Sequence, residues 1–166
     1  MSDSAEERVE REERAEELKA RLEREHNELL QELRALIPGA EVLLGFLLAI
    51  AFTSQFAKLD DVERYVYYGT LVSTAVALVL YLAPAAYHRL RFREGDKDYM
   101  LRKGNREAIA GTVASSLALT GVLYLVTVFV FGREEAVIVA IAFFGFTAWR
   151  WWSHALLRSF RKERSF

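Results

Sequence analysis

Apolar and polar positions along the chain fall into blocks rather than alternating. Residues 1–34 are nearly all polar, and beyond them come apolar runs divided by short charged loops. The run from Ala108 to Gly132 sets the scale, with 25 residues and no charged side chain. At about 1.5 Å of rise per residue, such a helix is longer than the roughly 30 Å hydrocarbon core of a bilayer. The pattern therefore predicts a membrane protein.

Four spans follow from the runs: about residues 38–57, 66–87, 108–132 and 135–157. The fourth is free of charge only from Ala136 to Trp149, with Arg150 and His154 in its final turns. Pro84 lies in the last turn of the second span, where a proline is tolerated in a membrane helix. Ahead of the spans, Ser4 to Leu36 reads as one long helix, rich in Glu, Arg, Ala and Leu and without Gly or Pro. Glu7 and Arg11, Glu10 and Arg14, and Glu17 and Arg21 stand four apart in the favourable order. Its apolar stripe is narrow: Leu18, Leu22, Leu29, Leu33 and Leu36. Leu22, Leu29 and Leu36 are a heptad apart, the spacing of a self-associating or partner-seeking helix. Glu25 and Glu32 occupy the second seam position, which argues for a solvated extension instead. Pro38-Gly39 is expected to end this helix and open the next, since proline suits a first helical turn.

The expected architecture is an all-α integral membrane bundle of four transmembrane helices with a long cytoplasmic N-terminal helix. It divides into a charged helix over 1–36, a membrane domain over 37–158 and a basic tail over 159–166. The near-neutral sum of charges hides a dipolar chain. Residues 1–34 hold 12 acids and 7 bases, and the remainder holds 11 acids and 15 bases. The loop after the second span carries Arg89, Arg91, Arg93, Lys97, Arg102, Lys103 and Arg106, and the tail carries Arg158, Arg161, Lys162 and Arg164. The other two loops are short and acidic, around Asp60-Asp61 and Glu134-Glu135. The positive-inside rule then puts both termini in the cytoplasm, with Trp149, Trp151 and Trp152 as an aromatic belt at that interface. The polar, acidic start lacks the pattern of a cleavable signal peptide, so the first span is expected to serve as the insertion signal. Cysteine is absent, which removes disulfides, thiolate nucleophiles and cysteine-based metal sites.

Several short stretches recur together in order: Asn27 to Arg34 (NELLQELR), Gly39, Gly45-Phe46-Leu47-Leu48, Gln55-Phe56, Leu59-Asp60-Asp61, Ala83-Pro84 with His88-Arg89, and Gly111. In these the chain resembles an uncharacterised bacterial family of small four-helix membrane proteins, over about Asn27 to Gly132. Some members carry an automatic label of sodium:proton antiporter. The resemblance implies a multi-pass protein of the bacterial plasma membrane and hints at transport.

Glu41 is the only acid inside a span, about one turn past Pro38, and an intramembrane carboxylate is a candidate proton carrier. The plain alternative is an acid favoured by a helix N-terminus and reached by water. Thr112, Ser116, Thr120 and Tyr124 follow one another at four-residue steps, with Thr70, Thr74 and Tyr81 similar on the second span. They suit a hydrated path, or hydroxyls bonded to their own helix. Gly69, Ser73 and Ala77, and Gly111, Ser115 and Ala118, are small-residue rows that let helices approach closely. His88 sits at the cytoplasmic mouth of the second span, as a pH sensor or a plain interfacial histidine. His26, His88 and His154 are scattered, so no metal site or cofactor is expected. No phosphate loop, catalytic triad or carboxylate pair appears, so no enzyme is expected. Topology accounts for the bases, so no nucleic acid is expected either.

Four short spans enclose little space, so a pathway would form most easily between subunits. The first functional expectation is a homo-oligomer moving small inorganic ions as a channel or carrier. The second is a non-conducting scaffold that recruits a cytoplasmic protein through its N-terminal helix. Arg150 and Glu41 are the only opposite charges within spans and are expected to approach each other, within or between subunits. The topology is directly testable. Single cysteines at Ser2 and Asp61, probed in intact cells with an impermeant thiol reagent, should label at Asp61 and not at Ser2; the reverse would invert the protein.

Overall fold

The computed structural model describes residues 3–90 and 97–162, and the side chains of residues 8–87 and 99–151. It is all-α, with α1 over Asp3–Ile50, α2 over Asp61–Leu90, α3 over Lys97–Val130 and α4 over Arg133–Lys162. A short 3-10 turn, Phe56–Lys58, lies between α1 and α2. Three stretches are long and apolar enough to cross a membrane: Arg8–Ile50, Asp61–Tyr87 and Tyr99–Val130. The chain is thus built as a helical membrane protein.

The first departure from the sequence reading is at Pro38. The expected N-terminal helix and first span are one helix of 48 residues, with Pro38 inside it. The reason lies in the phase of burial. Leu29, Leu33, Ala40 and Leu47 are all buried, at steps of four and seven residues, so one stripe continues across the proline without slipping. Pro38 and Gly39 are exposed on the other side. The missing N–H removes one backbone bond, to the Arg34 carbonyl, and the stripe packed against α2 and α3 holds the helix in line. Leu29 also fills the middle of the heptad seam with contacts of its own chain. A Cβ added to Gly104 of α3 would stand only 3.1 Å from Leu29 Cδ2.

Helix α3 packs most extensively on α2 and then on α4, while α1 packs on α2 more than on α3. The shared core is Leu29, Leu33, Ala40, Ala77, Tyr81 and Ala114. The α2–α3 contact is the closest. Ala77 and Ala118 are fully buried, and Gly111 lies under the Tyr81 ring, which a Cβ would meet at 2.6 Å. The Tyr81 and Ser115 hydroxyls are bonded at 2.9 Å. At Gly121 a Cβ would collide with the Thr70 side chain, whose hydroxyl donates to the Val66 carbonyl at 2.7 Å. Gly69, by contrast, is exposed with open space where a side chain would go.

A tight turn links α3 to α4. Gly132 has φ +115°, a conformation that favours glycine, and its carbonyl accepts the first α4 bond, from the Ala136 N–H at 3.2 Å. Ala136 and Thr147 are buried and Ala140 and Phe143 half-buried, one stripe that rests on α3. Gly121→Ala should therefore lower the stability of the purified protein by about 1–3 kcal/mol through overpacking, read as a lower melting temperature in detergent. Gly69→Ala should leave it level or slightly raised, since only helix propensity changes there. Equal responses at the two glycines would contradict the packing described.

Candidate functional site

The hydroxyl row of α3 points about half a turn away from the face that meets α2, following its four-residue steps. Ser116, Tyr124 and Thr127 are buried there, and α4 is the neighbour on that side. Each threonine of the row bonds a carbonyl of its own helix: Thr112 to Ala108 at 2.9 Å, Thr120 to Ser116 at 2.8 Å and Thr127 to Leu123 at 2.7 Å. Thr147 of α4 does the same with Phe143, and Thr74 of α2 with Thr70, both at 2.8 Å. The hydroxyls of Thr112 and Thr120 are thus engaged within α3 itself. Of the small residues, Ala77, Gly111, Ser115 and Ala118 meet at the α2–α3 contact, Ser73 is half-buried, and Gly69 faces outward. The His88 and His154 side chains lie outside the described residues. Among the described residues no group of three His, Asp or Glu is placed to hold a metal ion.

Glu41 and Arg150 are both exposed. Among the described residues no ion pair joins them, and the extensive helix contacts do not include one between α1 and α4. Their heights follow from residues that meet. Leu29, Pro84 and Gly104 share one level, and the Tyr67 hydroxyl donates to the Leu47 carbonyl at 2.6 Å. Glu41 lies about 18 Å along α1 above Leu29, a climb that on α3 reaches about Ser116. That is about 12 Å above Ala108, where the charge-free part of α3 begins, not the single turn that counting from Pro38 suggests. From the Gly132 turn, Arg150 lies about 25 Å down α4, level with about Val113. The two charges are therefore within about 5 Å of one height, and both are exposed.

The opposite end carries a cluster that the sequence reading passed over as merely acidic. Asp60 caps α2: its carboxylate accepts the Glu63 N–H at 2.9 Å, and Glu63 accepts the Asp60 N–H at 3.0 Å. This is a capping box, and an acid three residues before Glu and just ahead of an apolar run is its sequence signal. Asp60 also pairs with Arg133, the first residue of α4. One carboxylate thus joins the α1–α2 connection to the α3–α4 turn. Close by, the Phe56 ring stands edge-on to Tyr67 at 4.9 Å.

Toward the other end the Lys103 ammonium lies 3.9 Å from the centre of the Tyr87 ring. Glu107, one residue outside the charge-free run, has a buried Oε2 with no hydrogen-bond partner. Nothing in the spacing of these residues marked them beforehand. Along α1, Arg14 pairs with Glu10 at 3.1 Å, while Arg21 turns to Glu25 at 2.8 Å rather than to Glu17.

The sequence matches a family described as one of unknown function (DUF6328) over residues 15–155. The chain belongs to that family. The match reaches from the charged part of α1 through the described side chains of α4 and includes both Glu41 and Arg150. No curated protein and no solved structure matches the chain.

The Asp60 cluster gives a graded test. Asp60→Ala removes the cap and the ion pair together and should cost about 1–2 kcal/mol, read from thermal unfolding in detergent. Arg133→Ala removes only a half-exposed pair and should cost about 1 kcal/mol or less. Equal losses at the two positions would show that the pair, not the cap, holds this end.

Proposed function

We propose that this protein is a membrane-anchored helical scaffold of the bacterial plasma membrane, with both termini in the cytoplasm and a fourth span in α4. Its working part is the charged half of α1, which recruits a cytoplasmic protein. The observation that carries this reading is the unbroken 48-residue helix. From Asp3 it reaches about 39 Å below the level where Leu29 joins the bundle, and its described side chains there are nearly all exposed. Val9 and Leu18 stand open among the charges, and they are the apolar positions left for a partner once Leu29 is engaged by α3. A rod continuous with a span fixes the partner's height and direction relative to the bilayer, which a flexible tether would not do. The spans support the same reading, because their threonine hydroxyls are already bonded to their own helices.

The transport reading, including the antiporter label that some relatives carry, has one specific observation in its favour. Glu41 lies deeper than its place in the sequence suggests, at a height where a carboxylate facing lipid is costly and a carrier would need one.

Two measurements separate the readings. In liposomes with an imposed pH gradient, the purified protein should show no ion flux above that of empty vesicles. Flux abolished by Glu41→Gln would establish a carrier and displace the scaffold. Spin labels on cysteines at Glu16 and Phe46 should give a narrow distance distribution near 45 Å, the length of a straight helix between them. A broad, shorter distribution would place a hinge at Pro38 and remove the rigid rod.

A further inference from the structure

The open face of α1 carries Pro38, Glu41, Val42 and Gly45, all exposed. No atom of the chain comes within 4 Å of a side chain added at Gly45. The face sits beside Leu47 and Ala40, which are buried on the inner side, so it points away from the bundle. An aspartate or glutamate side chain is too short to reach the interface from this depth, unlike the long arginine, which can snorkel. A lone ionised carboxylate here would face hydrocarbon, where charge is costly.

The complementary charge is on the chain itself. Arg150 is exposed on α4, within about 5 Å of the same height. It falls on the side of α4 that carries Phe143 and Thr147 toward α3, one turn further on, where burial ends. Beyond the α3 contact, α4 presents apolar surface: Ile138, Ile141, Phe144 and Phe146 are all exposed. Among the described residues neither Glu41 nor Arg150 has an ion-pair partner, the two stand near one depth, and no extensive contact joins the helices that bear them.

We infer that the open face of α1 is the docking surface for a second copy of this chain, with Glu41 of one copy paired to Arg150 of the next. A second copy supplies the matching charge at the matching depth and covers apolar surface on both sides. Two copies related by a two-fold axis would form the pair twice, and a ring would form it once per neighbour; both are closed symmetric assemblies. The inference stands whether the rod recruits a partner or not.

Charge reversal in mixed copies tests it. Glu41→Arg alone and Arg150→Glu alone each place like charges together and should abolish co-purification of differently tagged identical copies. Mixed with each other, the two variants restore an acid opposite a base wherever unlike copies meet, so the tagged pair should co-purify. Failure of the mixture to associate, or wild-type copies that do not associate in nanodiscs, would overturn the inference. The absence of native cysteine allows a second arm that leaves all other charges intact. A copy with Glu41→Cys and a differently tagged copy with Arg150→Cys should form an oxidative cross-link between the tags. Cross-linking within one chain carrying both cysteines, with none between tags, would also overturn it. This arm decides the matter if a reversed-charge variant does not fold.

Discussion

In hydrocarbon, apolar side chains gain nothing by leaving lipid for one another, so helices associate only where they fit closely or share hydrogen bonds. The α2–α3 contact answers that constraint at successive levels. Gly104 admits Leu29 and Pro84, Gly111 admits the Tyr81 ring, and Gly121 admits Thr70. The Tyr81–Ser115 bond ties the middle level across the two helices. Each bulky or polar group on one element meets an absent side chain on α3. Because α4 rests on α3, and α1 on α2 and α3, this fit positions the rest of the molecule.

The same constraint explains how the polar side chains of the spans are handled. Thr70, Thr74, Thr112, Thr120, Thr127 and Thr147 each return a hydroxyl to a carbonyl one turn earlier. Tyr67 reaches the Leu47 carbonyl of α1, near the end of that helix. Where charge is unavoidable it is gathered at the ends. Asp60 serves two helices at one end, and Lys103 spreads over Tyr87 toward the other. Glu41 and Arg150 are the pair of opposite charges within the sequence-defined spans that this economy leaves unsettled inside one chain.

Much of the fold was legible in the sequence because long charge-free runs admit few alternatives in a bilayer. The run from Val66 sits within α2 as read, and that from Ala108 lies in α3 up to Val130, with Phe131 and Gly132 in the turn beyond it. The boundary at Pro38 was not legible. Proline at a helix start and proline inside a membrane helix look the same locally, and the deciding fact is the phase of the leucines and alanines that pack on either side. The role of the hydroxyl row was equally hidden, since a four-residue repeat fits a hydrated path and a packing face alike, and the bonds of Thr112 and Thr120 to their own helix appear only in three dimensions. Gly121 could not be singled out because its meaning depends on Thr70, far away in the chain. The Asp60 cap, in contrast, was written in the sequence as Asp60 three residues before Glu63 and needed only to be read as a capping box rather than as loop charge.

Continuity through Pro38 changes more than a boundary. If a new helix began at Pro38, Glu41 would sit at its first turn, where the helix dipole and nearby water both favour a carboxylate. Inside one long helix that end does not exist, and the backbone N–H groups around Glu41 are already engaged in the helix. The residue loses both comforts and gains depth. An acid kept in that position must be neutralised by a proton or by a cation, and an arginine holds its charge where a proton would come and go. The choice between a proton site and a subunit contact thus reduces to whether Arg150 of another copy reaches Glu41.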